Sequence, residues 1–419
     1  MNKKKQEILK EKLGFLPLSV SKIEGTPRIW VNAVSVGEVV AAGSIVKLLR
    51  ETYPSAFIIL STGTETGRKM AEQTIKEVDN YIYYPFDFPW VVRRILRILR
   101  PHLFITIETE IWPNLLTTAR KMGIKTMLAN GRISARSFNR YRRTRFLWKK
   151  VLGSFDVMSM ISQTDAEKIK SIGAEPEKVF ISGNSKYDTL IFRADPKFEV
   201  KIRKLLQIES HEIVFLAAST HDGEEKTIIK AYKNLLKEFP HLILIIAPRH
   251  IKRVASVEEA LRSEGLSDFI HRTRLEYTQR KSPIIILDVI GELFYIYSLG
   301  TIIFCGGSLI KKGGQNILEP ACWGKVIFYG PSMEDFLAEK ELLTKAGAGI
   351  EVKGAASLVR EATVLLNNPE ERRQRGEKGR EAIQKMEGAA KKNVKLAQKL
   401  LEGSKNNVQC EYLTPYPAS

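Results

Sequence analysis

Short apolar runs of strand length recur along this chain, each followed by a stretch with helical apolar spacing. That alternation leaves few folds open. Parallel strands need crossover helices, and the helices cover both faces of the sheet. In the first half the pattern predicts strands at 28–34, 56–61, 81–84, 102–108, 125–129 and 157–161. Helices are expected at 36–52, 64–78, 90–99 and 112–122, then a basic helical stretch to 152. The second half repeats the scheme, with strands at 212–218, 242–247, 284–287, 301–305 and 325–329 and a last helical pattern at 370–401. The expected fold class is α/β, two Rossmann-like domains facing a cleft, with ligands at the C-terminal ends of the strands. The boundaries read as 1–190 for the first domain, 191–211 for a linker containing Pro196, 212–402 for the second domain and 403–419 for a flexible polar tail.

Composition narrows the partners. Three cysteines, Cys305, Cys322 and Cys410, fit no zinc spacing, and an odd count argues against a disulfide framework. No run of about 18 apolar residues marks a membrane span. The net charge is +19, and residues 1–190 hold 31 Lys and Arg against 18 Asp and Glu. The first domain is therefore expected to meet an anionic partner, nucleic acid or anionic membrane.

The stretch 303–329 carries the chemistry of a nucleotide site. A strand runs into Gly306-Gly307, and a second pair, Gly313-Gly314, is expected to open a short helix carrying Asn316 and Glu319, with Pro320 and Gly324 following. Glycines admit a ligand close to the backbone, and a helix N-terminus offers free N–H groups to phosphate. A carboxylate one turn in can accept two ribose hydroxyls. The spacing is neither GxGxxG nor GxxxxGK[ST], and it points to a sugar nucleotide.

Other segments admit two readings each. Ser35 and Glu38 have the spacing of a capping box. Glu38 also stands at the mouth of the first strand, where a carboxylate can take the proton of an attacking hydroxyl, with Gly37 allowing close approach. Glu108 and Glu110 close the strand before Trp112-Pro113-Asn114. They suit a helix start, or Glu110 could orient an acceptor or tune Glu38. In the segment 219–225, Asp222 and Glu225 could form another capping box, while Ser219 and Thr220 suit an anionic group. Arg249, after Pro248, can pair with a phosphate or sit in solvent.

Two basic runs mix with apolar residues. Residues 132–150 carry eight Lys or Arg and no acid, among Phe138, Tyr141, Phe146, Leu147 and Trp148. Residues 90–100 place Arg93, Arg94, Arg97 and Arg100 among aliphatics. Such runs are usually solvated faces. Here they also fit docking on anionic lipid, and the absence of RNP-like or KH-like motifs favours lipid over nucleic acid.

Seven segments occur in an order that resembles the 3-deoxy-D-manno-octulosonic acid (Kdo) transferases of lipopolysaccharide synthesis. They are Val34–Glu38, Glu108–Asn114, Asn130–Ser137, Ser219–Glu225, Pro248–His250, Ile290–Leu293 and Gly306–Pro320, and the likeness spans roughly residues 12–400. The resemblance implies a GT-B glycosyltransferase with CMP-Kdo as donor, a lipid A precursor as acceptor and inversion at the anomeric carbon. It implies no cofactor and no metal, and no Asp-x-Asp occurs in the chain. Glu38 falls at the family's general-base position and Glu110 in its acidic acceptor-side motif. The donor would meet Lys186, Ser219, Thr220, Pro248, Arg249, Gly306, Gly307, Gly314, Asn316 and Glu319. Acceptor and membrane would meet Gly37, Glu108, Arg132, Ser134, Arg136, Arg140, Arg142 and Arg143. Gln315 replaces a His common in the family, and Val289 a usual Thr.

The start, Met1–Phe15, is Lys-rich and lacks the apolar anchor with which family members often begin, so two expectations stand: a truncated chain, or peripheral binding through the basic faces at the cytoplasmic side of an anionic inner membrane. Another GT-B enzyme with a different nucleotide sugar, or a non-hydrolysing epimerase, is the alternative on the same fold. A basic nucleic-acid-binding protein is the non-enzyme alternative, and it leaves the glycine and carboxylate motifs unexplained.

Overall fold

The computed structural model describes residues 3–17, 20 and 24–403. They form two units, one running to Thr189 and resuming at Met386, the other spanning Leu190–Lys385. The tail expected at 403–419 lies outside the described residues from 404 onward.

The first unit is a seven-stranded parallel sheet. Its strands are β1 (Arg28–Asn32), β2 (Phe57–Thr62), β3 (Asn80–Tyr83), β4 (Leu103–Ile107), β5 (Lys125–Gly131), β6 (Val157–Met160) and β7 (Val179–Ile181), in the order β3-β2-β1-β4-β5-β6-β7. Side chains alternate between the two layers, as a pleated strand requires. Ile29 and Val31 pack with the helices Val36–Thr52 and Ala389–Glu402, while Trp30 joins the layer of Pro89–Leu99 and Pro113–Lys121. The buried Trp30 satisfies its indole N–H on the Ser61 hydroxyl at 2.8 Å.

The second unit is also a seven-stranded parallel sheet. Its strands are β8 (Ile213–Thr220), β9 (Leu242–Pro248), β10 (Ile270–His271), β11 (Ile284–Ile286), β12 (Ile302–Cys305), β13 (Ile327–Tyr329) and β14 (Gly349–Glu351), in the order β10-β11-β9-β8-β12-β13-β14. Both sheets reverse winding beside their first strand, between β1 and β4 and between β8 and β12. The loops leaving those strands open the crevice where doubly wound sheets bind ligands.

Two boundaries differ from the sequence expectation. The linker at 191–211 is instead a packed part of the second unit. Pro196 starts the helix Lys197–Leu205, Phe198 lies 4.4 Å from the Tyr295 ring, and Ile202, Leu206 and Ile208 are buried. A proline is tolerated at a helix start, so it does not mark a linker there. The last helical pattern breaks at Gly388 (φ 103°) into Pro369–Gln384 and Ala389–Glu402. Only the former stays with the second unit. The latter returns to the first, where Asp188 accepts the N–H of Gly388 at 2.8 Å. Burying its Val394 and Leu396 contributes roughly 3–6 kcal/mol. The edge strands β7, β10 and β14 went unforeseen because two or three residues carry no period.

Candidate active site

In the first unit, Val31 of β1 is level with Ile105 of β4, so the loops after them start side by side. Ser35 caps the helix Val36–Thr52 by accepting from the Glu38 N–H. Glu38 turns back: its Oε1 accepts from the Ser35 hydroxyl at 2.8 Å and its Oε2 from the Val34 N–H at 2.7 Å. The capping reading is thus realised in the structure. Yet Glu38 is buried, and burial pushes its carboxyl up to about 7 against those two hydrogen bonds, with the charges of Glu110 and Glu108 adding to the rise. A cap on a solvated helix end would titrate like an ordinary carboxylate.

Glu108 leaves β4 in the left-handed region (φ 58°), and its carboxylate meets the Lys186 ammonium at 2.6 Å. Lys186 also reaches Gly37, where a Cβ would come within 3.7 Å of its Nζ. Glu110 accepts the Trp112 indole N–H at 2.9 Å, and its carbonyl accepts the Thr106 hydroxyl at 3.1 Å. Burial again raises its carboxyl, opposed by the indole and helped by Glu108. Gly37, Glu38, Glu108, Glu110 and Lys186 therefore form one cluster at the switch point of the first sheet. Lys186, expected near the donor, belongs to this cluster.

Arg132 and Ser134 follow β5. Ser134 caps the helix Ala135–Arg143 by accepting from the Ser137 N–H at 3.2 Å. Arg140, Arg142 and Arg143 are exposed on that helix, and no described contact joins them to Glu38. The side chain of Arg136 lies outside the described residues.

In the second unit, Ala218 of β8 is level with Cys305 of β12, so Ser219 and Thr220 leave the sheet beside Gly306 and Gly307. Arg249, just past Pro248 at the end of β9, donates its N–H to the Thr220 carbonyl at 2.9 Å. The buried carboxylate of Glu224 accepts four backbone N–H groups, from His221 (2.9 Å), Gly307 (2.7 Å), Ser308 (3.0 Å) and Leu309 (3.0 Å). A Cβ on Gly306 would lie 2.5 Å from the Ser219 carbonyl oxygen. The loops after β8 and β12 are clamped together around Glu224.

This clamp changes the expected donors. The N–H groups of Gly306 and Gly314 are spent on the carbonyls of Ala218 and Gly307, and that of Gly307 on Glu224. These glycines act by shape. The helix expected from Gly313-Gly314 is only Leu318–Ala321, because both glycines have positive φ and hold an extended loop ahead of it. Asn316 precedes that helix. Its Oδ1 accepts the Leu318 N–H at 3.1 Å and its amide donates to Glu319 at 3.4 Å. The N–H groups of Gln315, Asn316 and Ile317 donate to no protein acceptor among the described residues. Burial raises the Glu319 carboxyl, while Arg193, Arg249 and the Asn316 amide oppose the rise.

The family of the chain follows from comparison. The profile described as "3-Deoxy-D-manno-octulosonic-acid transferase (kdotransferase)" matches residues 7–189. The 3-deoxy-D-manno-octulosonic acid transferase of Haemophilus influenzae is 32% identical over 376 residues, 89% of this chain and 87% of that protein. This chain belongs to the Kdo transferases. The Aquifex aeolicus protein of the same description is 31% identical over 339 residues, 81% of this chain and 86% of that one. Among solved structures, UDP-GlcNAc 2-epimerase from Neisseria meningitidis bound to UDP-GlcNAc has a TM-score of 0.61 at 14% identity, covering 89% of this chain and 100% of that one. That likeness is of fold, GT-B, which glycosyltransferases share with epimerases. Membership in the Kdo transferases makes this chain a glycosyltransferase.

Two residues of this Kdo transferase family member escaped the sequence reading. Glu224 lay inside a recognised segment, but Asp222 and Glu225 drew the capping argument. Both pair with Arg253 instead, at 3.2 and 2.6 Å. Arg193 ends the helix Ser185–Arg193 with its guanidinium 4.1 Å from the Phe294 ring centroid, and its charge acts on Glu319. No local pattern marks it, because the fold brings it there.

Proposed function

We propose that this Kdo transferase moves Kdo from CMP-Kdo to a hydroxyl of a lipid A precursor, with Glu38 as general base and inversion at the anomeric carbon. The observation that carries the reading is the Glu38 carboxyl, held at about 7 by burial at the switch point of its sheet. A base poised there is half ionised at neutral pH and strong enough to accept a hydroxyl proton. As the acceptor oxygen bonds to the anomeric carbon, its proton passes to Glu38, and the bond from that carbon to the CMP phosphate oxygen breaks. A single displacement of this kind inverts the centre. Glu110 orients the acceptor, and Lys186 sets the charge around Glu38 through Glu108.

CMP belongs to the second unit in this reading. The open N–H groups of Gln315, Asn316 and Ile317, the hydroxyls of Ser219 and Thr220, and Arg249 receive the phosphate, while Glu319 and Asn316 take ribose hydroxyls. Gly306, Gly307 and Gly314 keep the floor free of side chains. A monophosphate leaving group carries less charge than a diphosphate, so these donors suffice for it.

Peripheral docking on anionic lipid fits the surface of the first unit. Phe88 and Trp90 are exposed and stack at 6.5 Å beside Arg93, and Phe146 is 73% exposed beside Arg145. No helix among the described residues is long and apolar enough to cross a membrane.

The test is a product assay with CMP-Kdo and a tetraacylated lipid A precursor in EDTA, for the wild-type chain and Glu38→Gln. Product from the former alone supports the reading. Equal product from both leaves Glu38 as a helix cap only.

A further inference from the structure

The first unit has a second opening, at the strand ends opposite Glu38. Arg28 begins β1, His102 precedes β4 and Lys125 begins β5, and all three line a cavity of about 770 Å³. Glu38, Glu108 and Glu110 follow the other ends of β1 and β4. Strands of five residues put the two openings roughly 16 Å apart. The volume is that of a small-molecule site.

The lining is cationic. Arg28, Arg97, Arg100 and Lys125 face it, and no lining residue is acidic. Among the described residues, neither Arg28, Arg97 nor Arg100 makes an ion pair, and Lys125 only approaches Asp156 at 3.9 Å. His102 accepts the Arg28 N–H at its Nδ1, at 2.9 Å, and burial and the Arg28 charge hold its imidazole below the ordinary value. The neutral ring therefore carries its proton on Nε2, as a further donor. Met122, Ile124, Leu400 and Leu401 supply an apolar floor.

A simpler account is that the cations complement helix ends. The helices Pro89–Leu99, Pro113–Lys121 and Ala389–Glu402 all terminate here. Each end carries about half a negative charge, which four full cations exceed. The contacts leave donors over as well. Arg28 gives its Nε–H to the Arg100 carbonyl at 2.7 Å, and Arg100 gives its own to Arg97 at 3.2 Å. Four N–H groups remain on each of those guanidinium groups.

We infer that this cavity is a binding site for a phosphorylated ligand, with phosphate on Arg28, Arg97, Arg100 and Lys125 and a carbon skeleton on the apolar floor. The site is separate from the Glu38 cluster and does not depend on the transfer mechanism. Its phosphate can come from a soluble metabolite or from a lipid headgroup.

The test is calorimetric titration of the full chain with inorganic pyrophosphate, comparing wild type with an Arg97→Gln, Lys125→Gln double variant. Neither side chain supports the fold through a strong contact, and a denaturation curve checks this. The expected result is saturable binding weakened about tenfold or more in the variant. Equal affinity in the two proteins, or no saturable binding by wild type, overturns the site. Sedimentation with phosphatidylcholine vesicles, with and without phosphatidic acid, then assigns the source. A loss in the variant confined to the phosphatidic acid vesicles identifies a lipid headgroup, and unchanged sedimentation identifies a soluble phosphate.

Discussion

The Glu224 carboxylate accepts the Gly307 N–H at 2.7 Å, joining the loop after β8 to the loop after β12. Three more N–H groups converge on the same side chain. Replacing it with Ala strands four donors in a buried place, a loss of roughly 3–5 kcal/mol. Glu224→Ala is expected to lower the denaturation midpoint of the second unit and to weaken CMP binding, read by urea titration and calorimetry. Unchanged stability would show that water replaces the carboxylate.

With Glu38 as the proposed base, activity depends on pH. The rate should fall about tenfold for each pH unit below about 7, as the base becomes protonated. Glu38→Gln should lower kcat by roughly 10²–10⁴. Stability gives an independent reading. The folded chain holds a proton that the unfolded chain releases near 4.5, so this contribution is fully present below pH 4.5 and is lost as pH rises through about 7. In Glu38→Gln, pH-dependent denaturation should show a flatter slope across that window.

In the proposed mechanism, Glu108 and its partner Lys186 tune the same base. Glu108 raises the Glu38 carboxyl, and Lys186 sits on Glu108. Glu108→Gln should therefore move the acid limb of the pH–rate profile down, and Lys186→Met should move it up. Shifts in the same direction for both variants would contradict the coupling.

Surface aromatics separate insertion from charge attraction. Trp90→Ser with Phe88→Ser should weaken binding to anionic vesicles at high salt. Neutralising Arg140, Arg142 and Arg143 should matter chiefly at low salt, because exposed charges are screened. Vesicle sedimentation at two salt concentrations reads both. Binding that ignores the aromatic pair would place the membrane surface elsewhere.

Much of this architecture was legible in the sequence because it is local. Ser35 and Glu38 announce the helix Val36–Thr52 by spacing, and the structure contains that helix with those bounds. Strand-then-helix alternation put Glu38, Glu110, Ser219 and Gly306 at strand ends. What escaped depends on distant parts of the chain. Lys186 meets Glu108 although they lie far apart in the chain. The glycine N–H groups looked free until their partners, Ala218 and Glu224, were in place. The helix Ala389–Glu402 carries an apolar face, and nothing in that pattern says which sheet it covers.

That last helix has a consequence for synthesis. The first unit is split around the second, and Asp188 waits for Gly388, 200 residues later. At about 5–20 residues per second, ribosomal elongation separates the two by roughly 10–40 s. During that interval the nascent first sheet lacks the cover that Val394 and Leu396 provide, while Leu190–Lys385 emerges as one continuous piece. The inserted unit can therefore finish folding before the unit that precedes it on the ribosome.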